Sequence, residues 1–157
     1  MANLVLFLFA AAILLTFGYL TRKPRRKIAP LATIKLQTRR PLTPFEEQMY
    51  QALTTALPEC VVLAQVAFSA LVTTTRQADR NRFDRKVADF LICSKQLTPI
   101  VVIELDDSSH HKKHAQDADR DAMLRNAGYQ TIRYPRIPAQ QQIQLDIETA
   151  LKKLTAN

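Results

Sequence analysis

The chain has 157 residues, the length of one ordinary domain, and its 47% hydrophobic content excludes global disorder. Its two cysteines, Cys60 and Cys93, lie in apolar runs without Cys-x-x-Cys spacing, so they read as small buried hydrophobes rather than a disulfide pair or a metal site. The net charge of +8 is not a nucleic-acid footprint of the folded part: residues 1–40 carry eight of the 22 basic residues and none of the 14 acids, which leaves 14 of each for residues 41–157.

The first predicted element is a transmembrane anchor over residues 1–21. Leu4 to Leu20 is uncharged, and 17 residues give about 25 Å of helix, the short end of a membrane span. Tyr19 sits where an interfacial aromatic is expected, and "TRKPRRK" follows. The positive-inside rule then puts the rest of the chain in the cytoplasm, as a single-pass protein of the inner membrane. A cleaved signal peptide competes with this reading but lacks its basic n-region and small-x-small cleavage site. Residues 22–42 are predicted as a basic juxtamembrane linker with Pro30 and Pro41, suited to topology and anionic-lipid contact.

Residues 43–157 are predicted as one α/β domain of order α-β-β-β-α-β-α, a mixed sheet flanked by helices. Thr43-Pro44-Phe45-Glu46 starts a helix: Thr43 as N-cap, Pro44 at N1, Glu46 closing a capping box. Phe45, Met49, Ala52, Leu53 and Ala56 form its apolar face, and Pro58 stops it. "CVVLAQVAF" (60–68), "VADFLIC" (87–93) and "PIVVIELD" (99–106) read as strands, the last two joined as a hairpin through residues 94–98. The intervening stretch 71–86 reads as a polar, partly mobile connection. "DADRDAMLRNAGY" is predicted helical with Gly128 at C′, "QTIRY" (130–134) is a strand, and "AQQQIQLDIETALKKL" closes the chain as an amphipathic helix with Ile143, Ile147, Ala150, Leu151 and Leu154 on its apolar face. Two glycines leave no room for a glycine-rich phosphate loop.

The chemistry concentrates in "VADFLIC" and "VVIELDDSSHHKKH". An aspartate inside an apolar strand is costly unless paired, and Asp89 is such a residue. Glu104 holds a comparable place on the next strand, and Asp106 shares its face by the period of two. Oxygen-only carboxylate clusters of this kind suit Mg²⁺ or Mn²⁺. The plainer readings are an Asp89 paired with Arg133 or Lys86, and a strand-ending turn at Asp106, Asp107 and Ser108. His110, His111 and His114 lack the glutamate of a His-Glu-x-x-His zinc motif and read as loop residues, with His110 and His114 at i, i+4 able to pair on one helix face. Arg76, Arg80, Arg82, Arg85 and Lys86 are a candidate local DNA-facing patch or simply a polar surface.

Asp89 within "VADF", Glu104-Leu105-Asp106, His110 and "DRDAMLRNAGYQTIRYP" together resemble the restriction-endonuclease-like superfamily, the PD-(D/E)XK nucleases, in the branch of very-short-patch-repair endonucleases. "NRFDRKVADFLIC" and "IELDDSSH" look closer still to a bacterial, membrane-anchored domain family of unknown function. The resemblance covers most of residues 43–137. It implies an α-β-β-β-α-β core in which Asp89 and Glu104 hold Mg²⁺ or Mn²⁺ beside a DNA phosphodiester, with Asp106 as a further metal ligand. It also implies Glu46 as an acidic residue supplied by the first helix and His110 as acid or base. The superfamily's usual lysine, two residues after the glutamate, is Asp106 here. Lys112, Lys113 or Lys86 could substitute for it, or the domain could bind nucleic acid or an unidentified protein partner at the membrane without cutting.

Overall fold

The computed structural model describes residues 14, 16, 35–106 and 114–156, the side chains of residues 114–118 excepted. The chain divides into two compact units, Met1–Arg39 and Arg40–Asn157. Among the described residues no helix is long and apolar enough to cross a membrane. The expected anchor over residues 1–21 lies outside them, save for Leu14 and Thr16, which are helical.

The second unit is a mixed α/β domain. Its elements are α1 (Pro44–Ala56), β1 (Val61–Ala67), α2 (Phe68–Leu71), α3 (Gln77–Phe83), β2 (Val87–Cys93), β3 (Pro99–Leu105), α4 (His114–Asn126), β4 (Thr131–Tyr134) and α5 (Gln140–Thr155). The predicted α-β-β-β-α-β-α order holds for the longer elements. The stretch 71–86, read as a mobile connection, carries the short helix α3, and Phe68, read as the end of the first strand, instead opens the short helix α2; Phe68 and Phe83 are buried apolar anchors of the two. Their polar surroundings hid two single-residue anchors that no sustained period announces.

The four strands lie in the order β1-β2-β3-β4. β1–β2 and β2–β3 are antiparallel, and β3–β4 is parallel. The predicted β2–β3 hairpin turns at Ser94, whose hydroxyl accepts from the amides of Gln96 and Thr98, each at 3.2 Å. The parallel pair needs a crossover, which α4 supplies. β2 and β3 are the central strands and are apolar on both faces, which explains their continuous hydrophobic runs.

One face of the sheet, with Phe90, Ile92, Val101 and Ile103, packs on Met49, Leu53 and Ala56 of α1 and on Ile143, Ile147 and Ala150 of α5. The other, with Leu91, Cys93 and Val102, packs on Phe68, Phe83 and Leu124 of the remaining helices. Helix α1 starts as predicted: Glu46 donates its amide to the Thr43 hydroxyl, and the Thr43 amide donates to Glu46 Oε2 at 2.6 Å. Helix α4 ends in a Schellman pair, Tyr129 N–H to Leu124 O and Gly128 N–H to Arg125 O, with Gly128 at φ +89°. Leu151 and Leu154, expected on the buried face of α5, are exposed at 39% and 41%, because the helix runs past the end of the core at Ala150. Both cysteines are free thiols, Cys93 buried and Cys60 half-buried.

Candidate functional site

The strand registers line up four polar residues in one row across the sheet. Gln65 falls between the pairs Ala64↔Phe90 and Val66↔Ala88, opposite Asp89. Asp89 is one step beyond the pair Phe90↔Ile103, opposite Glu104. Glu104 is itself paired with Arg133. Each strand gives one member, at the end of the sheet where β2 begins and β3 finishes.

Asp89 is tied to the backbone of the neighbouring strand, with the Leu105 amide donating to its Oδ2 at 2.8 Å. Neither Arg133 nor Lys86 pairs with it. Burial raises its pKa, the Leu105 hydrogen bond and the charge of Arg120 partly offset this, and the charge of Glu46 pushes the same way as burial. Glu104 is 3% exposed, a buried charged side chain. Burial pushes its carboxyl up to about 7, Arg120 opposes the shift, and Asp89 adds to it.

The partner of Glu104 is Arg120 on α4. A single guanidinium nitrogen, Nη2, lies 2.9 Å from Oε1 and 2.8 Å from Oε2 of Glu104 and 2.8 Å from the carbonyl oxygen of Val87. The guanidinium sits 5.6 Å from the centroid of the Phe68 ring. Its Nε is buried and has no hydrogen-bond partner among the described residues. Sequence reasoning missed Arg120. The signal was present, since Arg120 stands three and four residues before Met123 and Leu124 and so continues the inward stripe of α4.

Arg133 bridges two further acids. Its Nε and Nη2 reach Asp121 at 3.2 and 2.8 Å, and its Nη1 reaches Asp106 at 3.0 Å. Those hydrogen bonds, Asp121 first, hold its pKa above the usual arginine range. The Asp106 carboxylate is therefore turned to Arg133, with its side chain 49% exposed. Glu46 has two partners, one of them the expected Thr43. One oxygen closes the capping box, and the other accepts from Gln65 Nε2 at 2.9 Å. Gln65 has φ +53° within a strand, a backbone state that a non-glycine residue adopts at a cost.

Asp89 and Glu104 thus meet across β2 and β3, Glu46 is close enough to act on Asp89, and Asp106 stands apart with Arg133. His110 and Lys112, with Asp107, His111 and Lys113, lie outside the described residues. Among the described residues no group of three or more His, Cys, Asp or Glu side chains converges as a metal cage. The basic run on and after α3 is largely self-neutralised: Arg76 pairs with Asp79, Arg80 with Asp84 and Arg82 with Asp119. A cleft of about 370 Å³ between α3 and α4 has Phe83 and Met123 in its wall, and none of the strand carboxylates lines it.

Residues 39–151 match the model of a family described as "Protein of unknown function (DUF2726)". No curated protein and no solved structure matches the chain. The match covers the whole sheet, both central carboxylates and all of α4, and the chain belongs to the DUF2726 family.

Proposed function

We propose that this domain is a nuclease of the PD-(D/E)XK kind, with Asp89 and Glu104 as a Mg²⁺ or Mn²⁺ site for hydrolysing DNA phosphodiesters, carried on a membrane anchor that leaves it in the cytoplasm. The observation that carries the reading is the meeting of two desolvated carboxylates on adjacent strands, where β2 begins and β3 finishes in the mixed sheet. Two such groups repel one another and call for a cation. The donor set fits the proposed metal, because Mg²⁺ is commonly held by one or two carboxylates with water completing its shell. Asp89 and Glu104 would hold it. When bound, the metal would polarise a phosphoryl oxygen and lower the pKa of a coordinated water. Glu46, hydrogen-bonded to Gln65 beside Asp89, adds a third carboxylate at the rim. His110 as acid or base, and Asp106 or Lys112 in the place of the usual lysine, belong to the same proposal.

The full chain should convert supercoiled plasmid to nicked circles with Mg²⁺ or Mn²⁺, and Asp89→Asn should reduce this to background. Inactivity across metals and DNA forms would remove the nuclease reading.

A second reading, a non-catalytic module that binds nucleic acid or a protein partner at the membrane, draws on Arg120 and Arg133. Arg120 engages both oxygens of Glu104, and Arg133 engages the aspartate in the lysine's place. DNA binding that falls with salt and is indifferent to Asp89→Asn, together with no cleavage, would favour it.

A further inference from the structure

Arg120 binds Glu104 in an unusual way. An arginine–carboxylate pair commonly uses two nitrogens on two oxygens, fork to fork. Here one nitrogen takes both oxygens and the Val87 carbonyl as well, all within 2.8–2.9 Å. Three oxygens around one cationic atom is what a small divalent cation would meet at the same spot. The rest of the guanidinium is not fully docked, since Nε is buried without a partner among the described residues. Its apolar support is the Phe68 ring, a contact that does not fix direction as a hydrogen bond does.

We propose that Arg120 is a positioning residue that holds the place of a divalent cation, its Nη2 filling the oxygen cage of Glu104 and Val87 until a cation exchanges with it. The inference rests on the metal-site reading above. Arg120 holds the Glu104 carboxylate pointed into the site when no metal is present, and it must leave that cage when one enters.

The sign of one measurement separates this from a supporting role. A residue that merely orients a metal ligand weakens metal affinity by about 10–100-fold when removed. A place-holder competes with the metal, so its removal tightens binding. The test is isothermal titration of Mg²⁺ into the full chain in detergent at about pH 9, where the carboxylates are ionised. The chains compared are the unaltered protein, Arg120→Gln, Arg133→Gln and Asp89→Asn. The expected result is binding that Asp89→Asn abolishes and Arg120→Gln tightens by about tenfold, with a clearly smaller gain for Arg133→Gln. Equal gains in both arginine variants would reduce the effect to general charge and overturn the proposal. So would unchanged or weaker binding in a folded Arg120→Gln chain. Binding that ignores Asp89→Asn, or no binding in any chain, would sink the metal-site reading itself. Should Arg120→Gln not fold, the unaltered chain still decides. Its Arg120 Nε–H resonance, assigned with Arg120→Lys, should shift on Mg²⁺ addition in step with the calorimetric binding, and a resonance that stays fixed at saturating Mg²⁺ overturns the exchange.

Discussion

The Leu105 amide donates a 2.8 Å hydrogen bond to the Asp89 carboxylate, so a side chain of β2 caps a backbone donor at the end of β3. This fixes Asp89 beside Glu104, the residue immediately before Leu105, and explains how an aspartate is tolerated in an apolar strand. It also separates the two jobs of the side chain. Asn can accept the same hydrogen bond without a charge, whereas Ala leaves the amide unpaired. Asp89→Ala should lose about 1–3 kcal/mol of stability, the cost of an orphaned buried donor. Asp89→Asn should match or exceed the unaltered chain, since burial disfavours the charge it removes. Urea unfolding of the three chains measures both, and an Asn variant as unstable as the Ala variant would refute this assignment.

Glu104 gives the domain a pH dependence of unusual sign. Its folded pKa, pushed up to about 7 from 4.5, lies above the unfolded value. The folded state therefore binds the proton more tightly in that interval. The contribution is fully present below the unfolded pKa and is lost as pH rises through the folded one. Stability should fall between pH 4.5 and about 7 relative to Glu104→Gln, by up to about 3 kcal/mol. Thermal unfolding of both chains across that range checks it, and parallel curves would show that Glu104 titrates normally.

The legible parts of this fold were those with a local period or a local cap. The α1 capping box at Thr43 and Glu46, the β2–β3 hairpin and the Gly128 helix end all follow from residues within a few positions of each other. The meeting of Asp89 with Glu104 was legible too, because two adjacent strands joined by a short turn leave little choice of register. What was not legible depends on distant packing. Arg120 reaches Glu104 from 16 residues away, and Arg133 takes both Asp121, across the α4–β4 connection, and Asp106, so the Asp106 carboxylate is engaged by an arginine. Alternation gave the side of the strand but not the partner waiting there.

Gly128 offers a test of backbone cost alone. Its φ is +89°, and a Cβ built there meets nothing within 4 Å. Gly128→Ala should therefore destabilise through conformation and not through a clash, by about 1 kcal/mol. Gly128→Asn should cost less, because asparagine tolerates the left-handed region better. Chemical denaturation of the two variants gives the comparison, and an alanine variant no weaker than the asparagine one would contradict it.

Gln65 inverts the usual rule for strands. Glycine in a strand interior is normally worse than alanine, since it has more freedom to lose and nothing to pack. At Gln65 the backbone stands at φ +53°, where any Cβ is strained. Both Gln65→Gly and Gln65→Ala lose the hydrogen bond to Glu46, so the difference between them isolates the backbone. Gln65→Gly should be the more stable by about 1 kcal/mol. Glu46 then keeps only its capping-box contact in both variants, which equalises that loss. Equilibrium unfolding of the pair measures the difference. If alanine proves the better residue, β1 runs straight through Gln65 in solution, and the strained link that ties α1 to the carboxylate row is not a feature of the folded protein.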